Sequence, residues 1–175
     1  LEDIDVRVVQ LDDLKKSIKN YPLFIMPILK EAKTLLNPVL LEELKNSKID
    51  FRKFKWNFED IKSTINIVQG FINVDDDIPA SLIYSLIMRV RVCYLIECLL
   101  NDNDFSNKGV KKLLLEYNLD NKEIEKFFNI YRAVREDKEP KINVRKEEIV
   151  RFLGIIKDYS KKAENETKKK IGKRN

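Results

Sequence analysis

The chain has 175 residues, 43% hydrophobic and 36% charged, with only four glycines and five prolines; that is enough apolar content for a sizeable core and too few turn-formers for an all-β fold. It contains no histidine, which excludes imidazole bases, imidazole metal ligands and His-containing triads, and with them most hydrolase classes. The formal charge of +5 is misleading, because residues 161–175 hold seven basic and two acidic side chains and the rest of the chain sums to zero.

Residues 1–10 alternate, with Ile4, Val6 and Val8 on one side and Asp5, Arg7 and Val9 on the other, a period of two that predicts a half-buried β-strand. One strand cannot satisfy its own backbone, so partner strands from elsewhere are expected. The chain has only Met26 and Met88 and reads as a piece of something larger. The acidic, alternating opening does not read as a signal peptide, and a cytoplasmic location is expected.

Asp12 or Asp13 can cap a short helix through Lys19. Pro22 opens a second helix, in which Phe24, Ile25, Ile28, Leu29, Ala32, Leu35 and Leu36 recur at helical spacing and Pro27 should kink or delay the start. Asn37 and Pro38 stop it, and 38–46 adds a turn or two. Residues 47–56 form a connector in which Phe51, Phe54 and Trp56 alternate with Lys48, Arg52, Lys53 and Lys55. Such interleaving can stack bases while cations hold phosphates, although aromatics docking a linker on a core give the same pattern.

From Asn57 onward a helical bundle is predicted. A first helix carries Phe58, Ile61, Ile65, Val68, Phe71 and Ile72 on its inner face. The helix over 79–101 is apolar almost all round and should lie at the bundle centre. Its longest uncharged run, 78–88, falls well short of a membrane span, for which roughly twenty residues are needed. Cys93 and Cys98 within it are five apart, point to different sides and cannot bridge, as suits a reducing compartment. Helices over 105–118, 121–136 and 144–163 follow, and a basic disordered tail is expected over 164–175.

Candidate chemistry lies with the interior arginines. Arg89 and Glu97 are eight apart on nearly the same face, and Arg91 points elsewhere. A guanidinium in so apolar a helix needs a carboxylate, carbonyls or a bound phosphate, so two readings stand: an ion pair, with Glu97 or across the bundle, or a phosphate pocket. Tyr131, Arg132 and Arg135 form a second cluster whose two guanidiniums are neighbours on one face and suit a phosphodiester, unless Glu136, Asp137 and Glu139 pair with them. No Gly-rich phosphate loop, zinc spacing or Ser-Lys dyad is present.

Several stretches resemble a known family. The opening strand with Asp5, Tyr21-Pro-Leu, ILKEA at 28–32 and LLNP at 35–38 are similar to the end of the catalytic domain in archaeal-type minimal, DNA polymerase β-like nucleotidyltransferases. RVRVCYLIECLL at 89–100 and FFNIYRAVRED at 127–137 resemble the HEPN-like helical substrate-binding partner of those enzymes. The resemblance implies that Asp5 is the third metal-binding carboxylate, with Mg²⁺ as cofactor and a nucleoside triphosphate as substrate. The family's Gly-Ser turn and paired carboxylates are absent, so Asp5 cannot catalyse alone. The Arg-to-His signature of HEPN nucleases cannot exist here either.

The sequence thus predicts a mainly α protein, a bundle of five to seven helices with one short N-terminal strand. Residues 1–38 would close a catalytic domain, 39–56 connect, 57–163 form the HEPN-like bundle, and 164–175 trail as the tail. The expected function is the C-terminal substrate-binding part of a nucleotidyltransferase, inactive alone. The complete enzyme would move a nucleotidyl group onto an unknown acceptor such as RNA, with Arg89, Arg91, Tyr131, Arg132 and Arg135 binding nucleotide or acceptor. The alternative is a non-catalytic helical module, either a homodimerising antitoxin-type partner or an RNA-binding bundle.

Overall fold

The structure, a computed structural model, describes residues 8–74, 79–140 and 144–173. The residues described form eight α-helices and one 3₁₀ turn, with no strand among them. Asp5 and most of the expected strand lie outside the described residues; residues 8–10 are exposed and have no regular structure. The chain divides into two compact units, Leu1–Lys53 and Phe54–Asn175.

The first unit contains α1 (Leu11–Asn20), α2 (Pro22–Glu31) and α3 (Pro38–Lys45). Its α2 packs between α1 and α3, burying Leu23, Met26 and Leu29 together with Ile18 and Leu44. Contrary to the inner face that the spacing of α2 suggests, Phe24 and Ile28 point outward, and Pro27 neither delays nor ends the helix. The helix also stops earlier than the apolar spacing suggests. Ala32 turns extended, and the Thr34 hydroxyl accepts hydrogen bonds from the backbone N–H groups of Leu36 and Asn37, a local turn that competes with further helix. Leu35 and Leu36 are consequently fully solvent-facing. Asn37 then caps α3 by accepting from Leu40 N–H at 3.0 Å, with Pro38 at the first helical position.

The second unit contains α4 (Lys55–Val74), α5 (Ala80–Asn101), α6 (Asn107–Glu116), α7 (Asn121–Arg135) and α8 (Lys146–Gly172). Helix α5 packs against all four others. No residue from Leu82 to Leu100 is exposed, as its apolar circumference requires. No helix among the described residues is long and apolar enough to cross a membrane. Helix α4 buries Phe58, Ile61, Ile65, Val68 and Ile72, a spacing of three and four that keeps one face against α5 and α8. Phe71, expected on that face, stands beside it and is 45% exposed.

The ends of these helices are fixed by local chemistry. Asp102 closes α5 in the left-handed region, φ 56°, which short polar side chains tolerate best after glycine. Ser106 caps α6 by accepting from Gly109 N–H. Asp120 and Glu123 form a reciprocal capping box at α7.

In place of the expected disordered tail, residues 164–172 are helical. Helix α8 runs on to Gly172 because Ala163 and Thr167, one turn apart, are buried. Glu164 further ties this stretch to Lys62 of α4 and to Lys168. Burial of the small face and these ion pairs outweigh the mutual repulsion of the lysines, which point to solvent.

Candidate functional site

Arg89 and Arg91 leave α5 on different sides and meet different fates. Arg89 pairs with Asp60 of α4, Nη2 to Oδ1 at 3.0 Å, so the cross-bundle form of the expected ion pair holds and Glu97 is not its partner. The Nε of Arg89 is the one buried side-chain polar atom among the described residues without a hydrogen bond. Glu97 instead accepts a hydrogen bond from the Tyr159 phenol of α8.

Arg91 has no carboxylate partner among the described residues. Its Nη1 donates to the Tyr131 hydroxyl of α7 at 2.9 Å. Its guanidinium carbon lies 5.0 Å from the centroid of the Tyr131 ring and 5.6 Å from that of Phe105. Tyr84 stacks on Tyr131 with centroids 5.3 Å apart and planes 10° from parallel. Tyr84 and Arg91 are seven residues apart, which puts them on the same face of α5 about 10.5 Å apart along its axis. Tyr131 is in contact with both. Phe128, one turn before Tyr131, supports the ring edge-on, and Lys111 of α6 rests over Phe128 while pairing with Glu125.

The arrangement fixes the orientation of a cation. Aromatic faces hold the guanidinium through its π-facing sides, and the phenol pins one corner. Nε and Nη2 have no acceptor among the described residues and are not among the fully buried unpaired atoms, so the edge that binds oxyanions in two-point fashion has no protein partner there. Being planar and preset, it gives up little conformational freedom on binding.

The other candidates take no part in this cluster. Arg132 and Arg135 are exposed. Arg132 donates to Asn129 on its own helix, and Arg135 forms no ion pair with a described residue. Of the connector, Phe51 and Phe54 are buried and only Trp56 is exposed. Arg52 is held by Asp50 through contacts of 2.8 and 3.0 Å, and that hydrogen-bonded guanidinium holds the Asp50 carboxyl below the usual range. A stack of bases on three aromatics is therefore not available there.

The polar interior near Glu97 is chemically quiet. Burial pushes the Cys93 thiol up to about 12, and the nearby Glu97 charge adds to it. Burial and the bond to Glu97 push the Tyr159 phenol up as well, so neither is a nucleophile or base near neutral pH. The described residues contain no group of three or more Cys, Asp or Glu able to hold a metal ion. Asp5, the carboxylate named for the implied Mg²⁺, lies outside the described residues.

The residues that sequence reasoning missed are Tyr84, Phe105 and Asp60. Tyr84 carried a signal, its seven-residue spacing from Arg91. Phe105 and Asp60 carried none, because only the packing of the following loop and of α4 brings them to α5. No protein-family model matches the chain, and neither a curated protein nor a solved structure is detectably similar to it.

Proposed function

We propose that the chain is the helical substrate-binding part of a nucleotidyltransferase, in which Arg91 holds a phosphate of the nucleoside triphosphate. The catalytic residues would lie outside the described bundle, and the acceptor is unassigned. The reading joins the sequence resemblance to a single observation: a half-buried guanidinium on the central helix with no carboxylate partner and an open fork. Every other arginine of that helix is paired, since Arg89 has Asp60. Arg132 and Arg135 are secondary candidates, exposed on the helix that carries Tyr131, where they can add long-range attraction for an anionic ligand. Two buried cysteines outside any disulfide are compatible with a cytoplasmic location.

Isothermal titration with ATP and CTP tests the proposal. Binding that falls at least about tenfold in Arg91→Gln, a loss of about 1.4 kcal/mol, is expected. No heat from either nucleotide would reject it.

A second reading, a homodimerising interaction module, is favoured by α4. Ile67, Phe71 and Val74 are exposed at a spacing of four and three, within a stretch, 63–74, that holds no charged residue. Light scattering decides it: a monomer at high concentration, unchanged by Ile67→Asp, would remove this option.

A further inference from the structure

The same arginine also constrains what kind of ligand it can select. The Tyr131 ring is in contact with both Tyr84 and Arg91, and Tyr131 itself is only 5% exposed. The guanidinium is flanked in turn by Phe105, whose ring is tilted against Tyr94 with centroids 5.9 Å apart. Each aromatic ring next to the fork is thus already engaged by a neighbour. What remains unengaged on Arg91 is hydrogen-bonding edge.

Five N–H bonds project from a guanidinium, and the Tyr131 hydroxyl takes one. The remaining four lie around Nε, Nη2 and the outer side of Nη1. A carboxylate's two oxygens can engage one pair of these donors. A phosphoryl group presents three oxygens with more charge, and a polyphosphate can wrap from one edge to the next.

Resting on the phosphate reading above, we propose that Arg91 forms a base-indifferent phosphoryl subsite, one that recognises the polyphosphate and leaves the choice of nucleoside to other parts of the protein. Tyr131 and Phe105 act as positioning residues, holding the fork flat without touching the ligand. The cost of ordering a long flexible side chain is then met in folding rather than in binding.

The test is titration of the full chain at about 0.15 M salt, where charges on the flexible surface are screened over about 8 Å, with ATP, CTP, inorganic tripolyphosphate, adenosine and succinate. The expected result is that the three polyphosphates bind within about threefold of one another, a spread well under the tenfold of 1.4 kcal/mol. Adenosine and succinate should not bind. Arg91→Lys keeps the charge but loses the fork, and should weaken all three polyphosphates by about tenfold. Tyr131→Phe, which keeps the ring and removes the pinning hydroxyl, should weaken them together by a smaller factor, and serves if Arg91→Lys does not fold.

ATP binding more than about tenfold tighter than tripolyphosphate, or a base preference that disappears in Tyr84→Ala, would overturn base-indifference while leaving the nucleotide reading intact. Succinate binding as well as tripolyphosphate would overturn phosphoryl selectivity. Tripolyphosphate binding with the wild-type affinity in both Arg91→Lys and Tyr131→Phe would put the anion elsewhere and overturn the subsite. If no polyphosphate binds, this inference and the function above fail together.

Discussion

A Cβ on Gly109 of α6 would stand 2.7 Å from Cζ and 2.9 Å from Cε1 of Tyr94 on α5. The glycine is therefore there for close approach, since its φ is not in the left-handed region. In isolation, Gly→Ala within a helix stabilises by about 1 kcal/mol. Here the ring must be displaced from its contact with Phe105, at an overpacking cost of about 1–3 kcal/mol. Gly109→Ala should thus lower stability in urea denaturation by about 1 kcal/mol. In a Tyr94→Ala background the same substitution should be neutral or stabilising. A stabilising effect in the wild-type background would mean that the tyrosine moves freely.

Sequence spacing was most informative where one helix meets its surroundings on all sides. The apolar circumference of 79–101 is enough to place α5 at the centre. Pairing was not legible. Asp60 reads as an ordinary first-turn acid of α4, and only the packing of α4 on α5 sets it beside Arg89. Helix registers failed where two apolar positions compete: Phe71 adjoins Ile72, and a rotation of about 100° per residue lets only one face inward. The C-terminal stretch looked like a solvated tail because its lysines dominate the composition, whereas the inward positions Ala163 and Thr167 are small and carry little sequence signal.

Two carboxylates tie α8 to its neighbours and make stability depend on acid. Glu148 lies 2.7 Å from the Lys126 ammonium of α7 and accepts from Arg145 N–H. Burial pushes its carboxyl up, but these partners outweigh burial and hold it below the ordinary 4.5. Glu164 is likewise held below that value, by Lys168 and then Lys62. A carboxyl depressed in the folded state binds protons more weakly there than when unfolded. Its contribution is complete above the unfolded value and is lost as pH falls through the lower, folded one. Urea-derived stability should hold between neutrality and about pH 5 and decline below about 4.5. Glu148→Gln should cost about 1–2 kcal/mol at pH 7, and its curve should converge on that of the wild type near pH 3. Curves that stay parallel to that pH would show that this carboxylate does not drive the decline.

The cysteines give a direct test of core integrity. Cys93 is fully buried and Cys98 is 2% exposed, and neither is in a disulfide. With the Cys93 thiol near 12, thiolate is scarce at pH 8, and the reagent has no path to either sulfur. Native protein should react with a thiol-directed reagent only on the timescale of unfolding, and both thiols should react at once in concentrated urea. Rapid labelling of native protein would mean that α5 opens locally, well below the global unfolding free energy.

The bond between Tyr159 and Glu97 joins the two longest helices through their polar groups. Tyr159 is 1% exposed, and its hydroxyl is the donor to a carboxylate that has no cationic partner among the described residues. Hydrogen bonds to a charged acceptor contribute about 1.5–3 kcal/mol. Tyr159→Phe keeps the ring contact with Tyr117 and deletes only the donor, so the loss should fall in the range of about 1.5–3 kcal/mol. Glu97→Gln retains an acceptor oxygen and should cost under about 1 kcal/mol, and the double variant should be less destabilised than the sum of the two. If Tyr159→Phe unfolds at the wild-type urea midpoint, solvent satisfies Glu97 as well as the phenol does, and α5 and α8 are held by apolar packing alone.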